Sequence, residues 1–236
     1  MSISTIAVIG YGRFGKTLEA ILPKIFTGSS IYCTKRDITA AAKADLIIPA
    51  VPIGVFEEVI KSISTQLTGD HIVMDVCSVK IAPKQMMLKY LPNHVQIVGS
   101  HPMFGPGTLE QTKGSLQNLK MVVDPIRISK SDLSSIVEPF SRQGVEVIEM
   151  SSDNHDKYAA QFHFTSQFIA SVLKKISIEK TPIDTASVSV LHNFLEFVQT
   201  DTLALLRDMY KYNPYCKDQY KKIQSSVEQI AHNILT

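Results

Sequence analysis

The sequence has few cysteines, no long uninterrupted apolar run and almost no excess of charge of either sign. Its three cysteines, Cys33, Cys77 and Cys216, have no metal-binding spacing and give no disulfide framework, which favours a reducing, cytoplasmic environment. No segment approaches the roughly 18 consecutive apolar residues of a membrane helix. The 24 basic and 22 acidic residues are interspersed, without the basic stripe of a nucleic-acid binder. The composition therefore predicts a cytoplasmic protein that binds neither membrane nor nucleic acid.

Hydrophobic residues make up 44% of the 236-residue chain, enough for a full core. Short apolar segments rich in β-branched residues predict strands at 3–9, 29–33, 45–52, 71–78, 95–100, 119–125 and 145–150. Segments with helical periodicity lie between most of them, as at 55–67. Because continuous apolar strands that alternate with helices are typical of a parallel sheet covered on both faces, we expect a Rossmann-like, doubly wound α/β domain over residues 1–150.

The pattern changes after residue 150. Residues 151–236 contain no clear strand, and apolar side chains recur at helical spacing from Tyr158 to Ile176. Further helices are expected over about 183–210 and 215–234. A segment of this length has a small core of its own, so this all-α C-terminal domain is expected to hold substrate and to form a homodimer interface.

The first predicted strand is followed by the sequence GYGRFG, a GxGxxG motif that opens a helix. This context is the one that dinucleotide binding requires. Gly10 permits a tight turn, Gly12 allows the backbone to approach a pyrophosphate, and Gly15 allows close packing of helix and strand. Arg13 and Phe14 complete the motif and are predicted with these glycines to bind the cofactor.

The end of the second strand bears on the choice of cofactor. An NAD-binding domain usually places a carboxylate there for the ribose 2′-hydroxyl. This sequence instead has Thr34, Lys35 and Arg36, and Asp37 comes too late. A hydroxyl followed by two cations suits a 2′-phosphate, so NADP is predicted over NAD, although the two basic residues could also be solvated loop charges.

Two polar residues follow neighbouring strands at the edge where enzymes of this architecture place their chemistry. Ser78 follows the fourth strand and His101 follows the fifth. A histidine there can be a general base because it titrates near working pH. The pattern alone leaves equal weight for catalysis and for packing.

Four motifs occur in an order and spacing that resemble those of the prephenate/arogenate dehydrogenases: DVCSVK (75–80), GSHPMFGP (99–106), EMSSDNHDKYAA (149–160) and TPIDT (181–185). The resemblance covers nearly the whole chain and is strongest to the plant-like arogenate branch. It implies an oxidative decarboxylation in tyrosine biosynthesis, with prephenate or arogenate as the small-molecule substrate. It also implies that His101 accepts the proton of the ring hydroxyl and that Ser78 contacts that hydroxyl and the histidine.

The chain departs from the family pattern in its C-terminal part. Gln167 stands where the family carries a second histidine, and it can bind a substrate carboxylate or hydroxyl but cannot titrate. His163, one turn earlier, is a candidate substitute, with helix packing equally open. Asp201 is a candidate for the ammonium group of arogenate, with a helix-cap or surface role equally open, and Arg207 is not securely matched to the family's carboxylate-binding arginine.

The adjacent pair His155 and Asp156 is expected to have a structural role or to support the residues that contact the substrate, because neighbouring side chains on a helix point about 100° apart. No cluster of histidine, cysteine and acidic residues predicts a metal site. Two rival functions stay open: another NADP-dependent reductase on the same scaffold, and a degenerate cofactor-binding paralogue with a regulatory role. The histidine at 101 argues against the first, and the glutamine at 167 motivates the second.

Overall fold

The computed structural model describes residues 2–35, 37–198 and 203–236. Contacts divide the chain into two compact units, Met1–His155 and Asp156–Thr236.

The first unit is organised around one sheet. Its strands in the described residues are β1 (Thr5–Ile9), β2 (Ser30–Thr34), β3 (Leu46–Pro49), β4 (Ile72–Met74), β5 (Gln96–Pro102), β6 (Lys120–Arg127) and β7 (Glu146–Glu149). They lie in the order β2-β1-β3-β4-β5-β6-β7. The residues of β3 and β4 are fully buried, as continuous apolar strands covered on both faces should be. The strand order reverses at β1, which pairs with both β2 and β3. The carboxyl end of β1 is therefore the topological switch point of the sheet.

Helices of the first unit connect these strands: α1 (Arg13–Ile25), α2 (Ile38–Ala41), α3 (Ile53–Ser64), α4 (Ile81–Tyr90), α5 (Pro106–Gln111) and α6 (Lys130–Arg142), and α7 (Ser152–Tyr158) begins after β7. The predicted α/β class with a following helical region is confirmed. Pro23 lies inside α1 and does not end it. The short helix α5, which begins at Pro106, was not predicted.

The sheet differs from the predicted parallel arrangement at one edge. Strand β6 runs antiparallel to β5, and β7 runs parallel to β6, so the last two strands are reversed relative to the first five. The pairing with β6 also lengthens β5 beyond residue 100, and His101 lies within the strand opposite Val122. His101 is therefore held by a strand ladder on one side and is not part of a turn.

The second unit is helical in its described residues. A π-helical stretch (Ala159–Phe164) follows α7 and leads into α8 (Thr165–Lys175), and then come α9 (Ala186–Val198), α10 (Leu203–Tyr212) and α11 (Cys216–Leu235). Ala170, Leu195 and Val198 form a small buried cluster. Among the helices that can be described, none combines the length and the apolarity needed to span a bilayer.

Candidate active site

The glycine loop lies at the switch point, directly after β1. Gly10 has φ +118°, and a Cβ there would collide with the carbonyl oxygen of Ala50 after β3. A Cβ at Gly15 would collide with the carbonyl oxygen of Gly10. Both positions therefore require glycine for the fold itself. A Cβ at Gly12 would meet no atom within 4 Å, so the protein's own packing does not explain that glycine.

The start of α1 fits an anionic group. Gly12 is its N-cap residue and provides no side-chain cap, and the first turn holds no acidic residue. The helix dipole and the first N–H groups therefore favour an anion beside Gly12, where the open space lies. Arg13 is exposed on this first turn, whereas Phe14 is half-buried and packs against the core of the first unit.

The end of β2 is arranged around Thr34. Its hydroxyl accepts a hydrogen bond from the Asp37 amide at 2.8 Å. The Asp37 carboxylate caps α2 by accepting from the Ala40 amide at 2.9 Å, and it also accepts from the Tyr32 hydroxyl at 3.3 Å. The ammonium of Lys35 lies 5.5 Å from the centre of the Tyr11 ring in the glycine loop. The predicted Arg36 falls outside the described residues.

His101 forms a direct contact that the sequence did not indicate. Its Nδ1 lies 2.9 Å from Nε2 of His155 in α7, for which the sequence predicts a structural or supporting role. Both side chains are buried, 5% and 3% exposed, and the rings meet edge to face. Because one nitrogen must donate and the other accept, the two imidazoles have linked tautomers. Ser78 is half-buried in the loop after β4.

A fully buried ion pair lies behind His101. Lys80 donates hydrogen bonds to the Asp75 carboxylate and to the carbonyl oxygen of Ser100, the residue before His101. The Ser100 hydroxyl in turn donates to the carbonyl oxygen of Asp75 at 2.5 Å. Burial raises the pKa of the Asp75 carboxyl, and Lys80 and the Cys77 amide partly oppose that rise. The pair belongs to the DVCSVK motif, in which the sequence indicates a role only for Ser78.

A second polar cluster holds the start of α7. The Asp124 carboxylate of β6 accepts from the Ser152 amide at 2.8 Å and from its hydroxyl at 2.5 Å. Lys84 of α4 reaches the same carboxylate oxygen at 3.1 Å. Asp124 lies opposite Gly99 in the β5–β6 ladder, so this cluster joins three elements of the first unit. The sequence Ser151-Ser152-Asp153 is typical of a helix start, so this half of the cluster could be recognised from the sequence. Nothing in the sequence indicated that Asp124 would be its hydrogen-bond partner.

The candidate substrate residues lie in the second unit. His163 is half-buried in the π-helical stretch, and Gln167 is buried in α8. Arg207 is exposed on α10, and Asp201 falls outside the described residues. No group of three or more histidine, cysteine or acidic side chains in the described part of the chain is placed to hold a metal ion.

Solved structures with this fold include nucleotide-dependent oxidoreductases. The prephenate dehydrogenase of A. aeolicus, in complex with hydroxyphenyl propionate and NAD+, is 19% identical with a TM-score of 0.73 and covers 100% of this chain and 92% of its own. The arogenate dehydrogenase of Synechocystis is 17% identical with a TM-score of 0.69, covering 98% and 91%. Together with the glycine loop at the switch point, these likenesses define the class as a Rossmann-like nucleotide-binding fold.

Two family models match parts of the chain. Residues 26–149 match the family "prephenate dehydrogenase, nucleotide-binding domain", and residues 172–236 match "TYRAAT1-like, C-terminal domain". Arogenate dehydrogenase 2, chloroplastic, of Arabidopsis thaliana is 30% identical over 95% of this chain and 68% of its own length. Arogenate dehydrogenase 1, chloroplastic, of the same plant is 31% identical over 95% of this chain, which spans only 38% of that relative. The chain belongs to the prephenate dehydrogenase family of oxidoreductases, and within it to the arogenate branch.

Proposed function

We propose that the chain catalyses the NADP-dependent oxidative decarboxylation of arogenate or prephenate in tyrosine biosynthesis, with His101 as the general base. The observation that carries the proposal is the hydrogen bond between His101 Nδ1 and His155 Nε2 at the carboxyl end of β5. If His101 donates from Nδ1, its Nε2 holds a lone pair that can accept the proton of a ring hydroxyl. His155 then accepts from the imidazolium that forms, as the acidic member of a catalytic triad does.

The chemistry balances with one base. His101 takes the proton of the C4 hydroxyl, the carboxylate on C1 leaves as CO2, and the ring becomes aromatic. An oxidised nicotinamide held by the glycine loop would accept the hydride that leaves C4. His101 then returns its proton to the phenolate oxygen, so the base is regenerated within one turnover. Ser78 is assigned to the substrate hydroxyl, Gln167 and His163 to substrate binding, and Asp201 to the arogenate ammonium.

The glycine loop supports the dinucleotide part of the proposal, because Gly12 is not needed for packing and faces open space at the start of α1. Gly10 and Gly15 build that turn, and Arg13 is assigned to the phosphates. The role of the chain would be to orient the cofactor.

The decisive assay uses the whole chain with NADP and either arogenate or prephenate, and measures NADPH formation at 340 nm together with CO2 release. We expect turnover with a 1:1 ratio of NADPH to CO2 and a higher kcat/KM for arogenate. Tight NADPH binding without turnover of either substrate would support the regulatory paralogue instead, and would remove the proposed function.

The preference for NADP over NAD rests on the end of β2. Asp37 accepts from the Ala40 amide as the cap of α2 and is not free for a ribose 2′-hydroxyl, and Lys35 lies beside the glycine loop. Replacing Lys35 with alanine is expected to raise KM for NADP about tenfold and KM for NAD less than twofold, because only NADP loses a charge-assisted contact. Steady-state kinetics with both cofactors measure this ratio.

The matched control for Lys35→Ala is Lys24→Ala. Lys24 is an exposed lysine in the last turn of α1, about 17 Å along the helix from its start. Equal effects of the two substitutions on the NADP-to-NAD ratio would contradict the 2′-phosphate assignment.

The homodimer is proposed to form through the C-terminal helices. Val227, Ile230 and Ile234 of α11 are 59%, 59% and 76% exposed, and their spacing places them on one face of the helix. An apolar stripe of this kind on a long helix is typical of a surface that packs against another helix.

The predicted cytoplasmic localisation stays a prediction.

A further inference from the structure

Two lysines at the start of α4 are not used by the proposed chemistry. Lys80 is the N-cap residue of α4, and the Lys84 amide donates to its carbonyl oxygen at 3.1 Å, one helical turn further on. Their ammonium groups reach two different carboxylates, Asp75 after β4 and Asp124 in β6. The first turn of α4 therefore contacts both polar clusters, the one at Asp75 and the one at Asp124. The first cluster adjoins His101 in the chain fold, and the second holds the helix that carries His155.

Lys80 acts on the backbone that carries His101. It is fully buried and links the Asp75 carboxylate to the carbonyl oxygen of Ser100. The amide of Ser100 also donates to the carbonyl oxygen of Asp75 at 3.2 Å. The Ser100 residue is thus held at its amide, hydroxyl and carbonyl groups. Because its carbonyl belongs to the peptide group before His101, these bonds restrict the direction of the His101 side chain.

Lys84 acts on the helix that carries His155. It shares the Asp124 carboxylate oxygen with the amide and hydroxyl of Ser152, the first residue of α7. His155 lies three residues later, about one turn along the helix. A shift of Ser152 would therefore move the His155 imidazole away from His101, which it meets at 2.9 Å.

We propose that Lys80 and Lys84 are positioning residues that together set the hydrogen bond between His101 and His155, Lys80 through Asp75 and Ser100 and Lys84 through Asp124 and Ser152. The proposal that the lysines set this hydrogen bond stands on the geometry of the two imidazoles alone. The expected effect of the lysines on turnover rests on the proposed function. Lys84 gives the cleaner test, because the Asp124 carboxylate that its replacement leaves behind still accepts from Ser152 and is 9% exposed, whereas replacing Lys80 would leave the fully buried Asp75 carboxylate.

The experiment compares Lys84→Met, which keeps a similar stem but removes the charge, with Lys84→Arg, which keeps the charge. Lys89→Met is the control, since Lys89 is an exposed lysine in the last turn of the same helix. Protein labelled with ¹⁵N-histidine is examined by NMR without ligands, and His101→Asn and His155→Gln variants assign the two imidazoles. In wild type and Lys89→Met, the ¹⁵N shifts are expected to show the hydrogen bond between Nδ1 of His101 and Nε2 of His155.

In Lys84→Met that hydrogen bond is expected to be lost and kcat to fall about tenfold, with KM for the cofactor unchanged, and Lys84→Arg is expected to restore both. A folded Lys84→Met protein that keeps the wild-type hydrogen bond between the imidazoles would overturn the proposal. Absence of dehydrogenase activity in the wild type would remove the proposed function, while the ¹⁵N shifts would still decide the positioning claim. For the buried pair, the double variant Asp75→Asn/Lys80→Met avoids an unpaired charge and is expected to show the same loss of the hydrogen bond.

Discussion

Replacement of His101 by asparagine is expected to lower kcat by a factor on the order of 10² to 10⁴, the usual contribution of a general base. The asparagine amide can occupy the place of the Nδ1 half of the imidazole and donate to His155, as the proposal has Nδ1 do across 2.9 Å. The Nε2 half, which would accept the substrate proton, has no counterpart in asparagine. The substitution therefore removes the base and retains the local hydrogen bond.

Cofactor affinity separates this role from a structural one. Because His101 is not part of the glycine loop, the dissociation constant for NADPH is expected to change by less than about twofold, as measured by fluorescence titration. His94→Asn is the control, since His94 is an exposed histidine before the start of β5. A kcat near the wild-type value in His101→Asn would remove His101 as the base.

Replacement of His155 by methionine has the second largest expected effect. Methionine fills a similar volume but cannot accept from the His101 imidazolium, and both groups are buried. A hydrogen bond to a charged group is worth about 1.5–3 kcal/mol, which corresponds to a loss of roughly 10- to 150-fold in kcat. Glutamine presents an amide oxygen near the position of Nε2, so His155→Gln is expected to recover most of that loss.

The pH dependence of kcat/KM distinguishes this role from simple packing. Without an acceptor for its charged form, His101 in His155→Met binds its proton less tightly, so the acidic limb of the profile should move to lower pH. His155→Gln should keep the wild-type limb. Equal kcat values and equal profiles for the methionine and glutamine variants would show that His155 only fills space.

The sheet and the glycine loop were predictable from the sequence because their signals are local. The run Leu46–Pro49 can be satisfied only by burial on both faces, and Gly10 and Gly15 are required by contacts within their own turn. The direction of β6 was not predictable, because an apolar strand reads the same in either direction and its orientation depends on the connection before it. Because β6 pairs with β5 as far as residue 102, His101 lies in a strand, whereas the sequence predicted that it follows the strand.

The His101–His155 contact could not be predicted for a related reason. The two residues are 54 positions apart, and they meet only because β6 pairs with β5 and its Asp124 anchors the start of α7. The helix start at Ser152 was visible in the sequence, whereas its carboxylate partner lies on another strand. Lys80 and Asp75 were visible as part of a motif, but a buried ion pair cannot be recognised before the strands around it are placed.

The central claim, that His101 accepts the substrate proton, is tested most directly by the single-turnover rate of NADPH formation between pH 5 and 9. In the wild type this rate is expected to rise with pH through one ionisation and then to level off, because only the neutral imidazole can accept a proton. In His101→Asn the residual rate is expected to lose that ionisation. The same ionisation in both proteins would contradict the assignment of His101 as the base.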